Sequence, residues 1–127
     1  MIRKIVVLVF AMVLLAPTIT SAASLEDFKV KTTQNLVNLC SVPSSDPLAP
    51  EAIHFCEGYC VGAYHYYLAA NAGPDGNKWV CLPDPVPSRI SIISHFIEWT
   101  EVHPEYANDN PVESIFRFLI EKYPCNK

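Results

Sequence analysis

The stretch AIHFCEGYCVGAYHYYL, Ala52 to Leu68, limits what this chain can fold into more than any other. At helical spacing Ala52, Cys56, Tyr59, Cys60, Ala63 and Tyr67 fall on one face. Such a face must be covered by other elements, and two of its members are cysteines. Gly58 and Gly62 lie four apart on a neighbouring strip. Glycine inside a helix costs about 1 kcal/mol against alanine, so the pair predicts helix close-packing over that strip. The stretch reads as the central helix of a small bundle stapled by disulfides.

The first residues have the form of a cleavable leader. Arg3 and Lys4 precede an apolar run from Ile5 to Ala16, followed by Pro17 and the small residues Thr20-Ser21-Ala22-Ala23. The run is shorter than the roughly 20 residues a membrane-spanning helix needs. The expected division is a signal peptide over residues 1–23 and one domain over residues 24–127, exported to the periplasm. Nine basic against thirteen acidic side chains give a net charge of −4, and loss of Arg3 and Lys4 makes the domain more acidic still. Nucleic acid and anionic membrane surfaces call for basic patches. The balance suits a basic protein partner better.

Export makes disulfides the default for Cys40, Cys56, Cys60, Cys81 and Cys125. Five is odd, so one thiol is left over or pairs between chains. Cys81 lies in a loop and Cys125 follows the last helix, so a bridge there would tie the terminus back. Chain-entropy arithmetic gives roughly 4 kcal/mol for that loop and roughly 3 for Cys40–Cys56. On this pairing Cys60 is the leftover. The rival, Cys56–Cys60, joins neighbours one helical turn apart, where side-chain direction is awkward and the closed loop is too short to contribute much.

Taken in order, the chain offers four helices. Ser24-Leu25-Glu26-Asp27 resembles a capping start, and Leu25, Phe28, Thr32, Leu36 and Leu39 mark one face of a first helix ending near Cys40. Ser41–Pro50 is a proline-rich loop, with Pro50 a suitable first residue for the central helix. That helix should fail at Asn71-Ala72-Gly73-Pro74. The irregular stretch to Val86 carries the apolar Trp79, Val80 and Leu82, so it is expected to fold back onto the bundle. A third helix opens at Pro87 or Ser88 and presents Ile90, Ile93, Phe96, Ile97 and Thr100, widened by Ile92 and Trp99, before His103-Pro104 ends it. Asn110-Pro111-Val112-Glu113 is an N-cap, a proline at the first position and an acid at the third. Val112, Ile115, Phe116, Leu119 and Tyr123 then line a fourth helix. The fold class expected is all-α, a small four-helix, disulfide-stapled domain.

Few residues offer chemistry. A reactive thiolate needs a helix N-terminus or a nearby cation, whereas Cys60 sits mid-helix on an apolar face and reads as a small buried hydrophobe. The histidines show no metal-binding spacing and the cysteines no CxxC pair, so no metal, catalytic residue or cofactor is expected. Tyr59, Tyr64, Tyr66 and Tyr67 crowd the central helix. Some read as half-buried with wet hydroxyls, and together they are a candidate interaction face.

One pattern goes further. The chain reads C-x-G-Y-x-x-G at Cys56–Gly62, then Cys81-Leu82-Pro83, a helix ending His103-Pro104 and a helix ending Tyr123-Pro124-Cys125. Over roughly residues 36–125 this resembles the Tai/Rap-type family of type VI secretion immunity proteins. The resemblance implies a small exported α-helical protein, often a homodimer. It would block a peptidoglycan amidase by occluding its active site and have no catalysis of its own. It maps family cysteines onto Cys56, Cys81 and Cys125, with Cys40 in the place of a frequent early one. Cys60 is extra, and Ala63-Tyr64-His65-Tyr66 stands where members often carry an acid. Two rival functions remain at this point: a periplasmic chaperone using the tyrosine-rich helix, and a thiol redox protein using Cys60 or a Cys56–Cys60 pair. The loops Gly73–Val86 and Pro104–Asn110 are the candidate plugs.

Overall fold

Thr32 and Asn35 cap each other. The Asn35 amide donates to the Thr32 hydroxyl at 3.2 Å and the Asn35 side-chain oxygen accepts the Thr32 amide at 3.2 Å. This reciprocal cap starts helix α1 (Thr33–Cys40). The computed structural model describes residues 23–126, so the expected signal peptide, all but Ala23, lies outside the described residues. Helices α2 (Ala49–Ala70), α3 (Arg89–Glu101) and α4 (Pro111–Lys122) follow, with 3-10 turns at Asp27–Lys29 and Pro104–Tyr106. Among the described residues extended pairing is limited to one isolated bridge, Val80 with Pro124. The domain is all-α. None of its described helices is long and apolar enough to cross a membrane.

The expected first helix is broken. Asp27 turns inward, accepting the Ser24 amide and hydroxyl on one oxygen and the side-chain amides of Asn35 and Asn38 on the other. A residue that bonds to α1 from the side cannot continue α1 in line. The chain therefore reverses at Val30, which takes a left-handed conformation (φ 42°) that β-branched residues rarely adopt. Leu25, assigned to the core face, is left 76% exposed.

Short α1 packs against each of the other three helices, most extensively against α2. Leu36 and Leu39 are wholly buried, against Ala52 and Cys56 of α2, Phe96 and Trp99 of α3 and Ile115, Phe118 and Leu119 of α4 in the same core. The first N–H groups of a helix lack partners within it. Here the amides of Thr33 and Gln34 donate to the carbonyls of Asp109 and Ala107, both at 2.9 Å. The Thr33 and Ser114 hydroxyls share a buried hydrogen bond of 2.7 Å. The segment from Pro104 to Asn110 is thereby fastened to α1, and Trp99 stacks on Tyr106 with ring centroids 5.5 Å apart.

Two bridges close the domain. Cys40–Cys56 joins α1 to α2, and Cys81–Cys125 ties the loop before α3 to the C-terminus. Around the second, Cys81 donates its amide to Tyr123 and Cys125 donates to Trp79. Cys60 is a free thiol.

Three expected faces are corrected. Gly58 and Gly62 are exposed, and a Cβ added at either meets nothing within 4 Å, so no helix among the described residues approaches there. The neighbours of α2 cover its Ala52–Cys56–Tyr67 side, and the glycine strip faces away. On α3 the buried residues are Phe96 and Trp99, while Ile90 is 72% exposed. On α4 the buried arc is Ser114, Ile115, Phe118 and Leu119, with Val112 outside it and Phe116 half-buried against Tyr67.

Candidate interaction groove

Between α2 and α3 a groove of about 190 Å³ stays open. Cys60, Val61, Tyr64 and His65 of α2 form one wall, and Arg89, Ile92, Ile93 and Phe96 of α3 the other. Buried Ile115, Phe118 and Leu119 of α4 lie at its base, and Leu82, Val86 and Pro87 close it from the preceding loop. The lining is almost wholly apolar, with His65 and Arg89 as the polar exceptions among residues that expose charge or ring nitrogen.

The loop that borders the groove is held at its middle. The Tyr67 hydroxyl accepts the amides of Trp79 at 2.8 Å and Val80 at 3.1 Å, and Cys81 is bridged to Cys125. Val80 is buried by this anchoring, while Trp79 and Val86 remain exposed on either side. Leu82 and Val86 of the loop thus extend the apolar lining of the groove, and Trp79 is exposed beyond it. An exposed patch of this kind marks an interaction site more often than a catalytic one.

The ionisable groups agree with that reading. Burial pushes the Cys60 thiol up to about 12, away from the thiolate that a redox nucleophile needs. Burial also raises the Tyr59 phenol, helped by Cys60 beside it, and the Tyr64 phenol, helped by Tyr67. The sulfur atoms of Cys40, Cys56 and Cys60 lie within 4.8 Å of one another. Two of them are bonded to each other, so this cluster offers a cation one thiol.

The sequence-expected residues divide. Cys60 and Tyr64 enter the groove, and Tyr67 holds its loop. Gly58, Gly62 and Tyr66 lie on the solvent side of α2. Arg89 was outside the expected set. Its signal was available: Ile92, Phe96, Trp99 and His103 repeat at helical spacing as well as the Ile90 arc does, and that register turns Arg89 and Ile93 toward α2.

The family model for Rap1a immunity proteins matches residues 32–125, which takes in all four helices and both bridges. The chain belongs to the Rap1a immunity protein family. Members of this family are immunity proteins, which bind a secreted toxin protein. No curated protein and no solved structure shows a significant match.

Proposed function

We propose that this Rap1a protein is exported by its leader to the periplasm and there inhibits a type VI secretion effector, a peptidoglycan amidase, by occluding its substrate cleft. The observation that carries this reading is the apolar groove between α2 and α3, bordered by Leu82 and Val86 of the Tyr67-anchored loop, with Val86 63% exposed at its edge. Of the two candidate plugs, Pro104–Asn110 is committed to α1 through Ala107 and Asp109. The Gly73–Val86 loop is anchored at Trp79, Val80 and Cys81, yet it keeps Asp75, Trp79 and Asp84 exposed to a partner's cleft. A rigid loop loses little conformational freedom on binding, which raises affinity at a given contact area.

The test is capture by the tagged mature protein from oxidised periplasmic extract, mixed with extract of sister cells that deliver effectors. Retention of one amidase at one-to-one stoichiometry, with loss of its peptidoglycan cleavage, is the expected result. A single toxin of other chemistry would keep the immunity reading and overturn the amidase. A broad mixture of unfolded clients would point instead to a chaperone. Val86→Asp should weaken capture at least tenfold with the melting curve unchanged. Unchanged capture would move the binding surface elsewhere.

A further inference from the structure

Cys60 is poised beside a disulfide as well as lining the groove. Its sulfur lies within 4.8 Å of both sulfurs of the Cys40–Cys56 bridge. Cys56 and Cys60 are one turn apart on α2, and Cys40 is the last residue of α1, where the backbone leaves the helix for a loop. Cys40 therefore faces two alternative partners on the same helix side. We propose that the α1–α2 staple has two registers, Cys40–Cys56 and Cys40–Cys60, that interconvert by internal thiol–disulfide exchange.

The exchange balances without any oxidant or reductant. The Cys60 thiol gives up its proton, and the thiolate pair attacks the Cys40 sulfur. The Cys40–Cys56 bond breaks, its electron pair stays on the Cys56 sulfur, and that thiolate takes up a proton. One disulfide and one thiol are present before and after. Attack on the Cys56 sulfur instead would close a ring within α2 and release α1, so it loses the interhelical link. Attack on Cys40 keeps that link and moves it about 6 Å along α2, four residues at 1.5 Å each. The freed Cys56 thiol, already buried in the core, is accommodated there as a small hydrophobe.

The surroundings set the pace. On α2 the titratable neighbours of Cys60 are Tyr59, Tyr64 and His65, and on α3 the groove contributes Arg89. Helix α1 has no charged side chain, and α4 presents Ile115, Phe118 and Leu119. No cation other than Arg89 lines this space, and burial holds the thiol protonated at neutral pH with its value up to about 12. The rate should therefore rise about tenfold per pH unit from pH 7 to 10, following the thiolate fraction. A partner seated in the groove covers Cys60 and its immediate surroundings.

The experiment is a time course of the oxidised full domain, without reductant, at pH 7, 8.5 and 10. Aliquots are quenched in acid, denatured, labelled with a maleimide at acidic pH and peptide-mapped. The expected result is label moving from Cys60 to Cys56, with rates rising roughly tenfold per pH unit. Label confined to Cys60 at pH 10, over a time in which the guanidinium-unfolded chain scrambles fully, would overturn the proposal. Label at Cys40 would overturn it too, since it reports the ring within α2. A Cys56→Ser variant, oxidised during export, should map as Cys40–Cys60 and Cys81–Cys125. If that variant is folded yet holds two free thiols, the second register does not exist. If it fails to fold, the wild-type time course decides alone.

Discussion

The Tyr67 hydroxyl accepts the backbone N–H of Val80 at 3.1 Å, thirteen positions along the chain, and that of Trp79 at 2.8 Å. One side chain of α2 thus satisfies two amides of an irregular loop. Tyr67→Phe keeps the ring, which also packs on Trp79 and Phe116, but leaves the buried Val80 amide without a partner. An unpaired buried donor costs about 1–3 kcal/mol. The expected outcome is a denaturant midpoint lowered by that much, with hydrogen exchange at Trp79 and Val80 accelerated more than in α1. Equal exchange in variant and wild type would mean that the disulfide alone holds the loop.

Tyr67 also shows where sequence reasoning reaches and where it stops. Its place on the buried face of α2 followed from spacing, because a helical period is a local property. The partners of its hydroxyl did not follow, because they depend on the path of a loop whose course is set by the whole bundle. Asn110 was legible as an N-cap for the same local reason, and its side chain accepts the Val112 amide at 2.9 Å. The groove was half legible. Of its α2 wall only Cys60 lay on the expected face. Its α3 wall was expected through Ile92, Ile93 and Phe96, and only Arg89 lay outside that set. The packing of α1 against all three other helices was not legible, since it depends on tertiary neighbours rather than on its eight residues.

The glycines supply a prediction of definite sign. Gly58 and Gly62 are helical and exposed, and a methyl group at either meets no atom within 4 Å. Alanine then gains helix propensity at no steric cost. Each Gly→Ala substitution should raise stability by about 0.5–1 kcal/mol. Thermal melts at several protein concentrations check this. A loss that grows with concentration would show that a second copy packs closely on that strip, whereas a gain independent of concentration leaves it free.

Asp27 should make stability depend on acid. Burial alone pushes its carboxyl up, but hydrogen bonds from Ser24, Asn35 and Asn38 together outweigh it and hold the value below the ordinary 3.8. A carboxyl lowered on folding contributes stability that is present above its unfolded value and is lost as pH falls through its folded value. As pH falls from about 6 to about 2, unfolding free energy should therefore decline more steeply for wild type than for Asp27→Asn. Parallel curves for the two proteins would assign the acid sensitivity to other carboxylates.

The two disulfides should differ in what they hold. Cys81–Cys125 closes a span of 44 positions and Cys40–Cys56 one of 16. Chain entropy favours the longer loop, at roughly 4 against 3 kcal/mol. The paired Cys81→Ser and Cys125→Ser variant removes that constraint but leaves the Tyr67 anchor and the Val80–Pro124 bridge in place. It should stay helical by circular dichroism, lose roughly 4 kcal/mol in urea unfolding, and bind its toxin more weakly because the loop is no longer rigid. A loss below about 1 kcal/mol would mean that the denatured chain already keeps the terminus near the loop. In that case the hydroxyl of Tyr67, rather than the bridge, carries the rigidity on which the interaction surface depends.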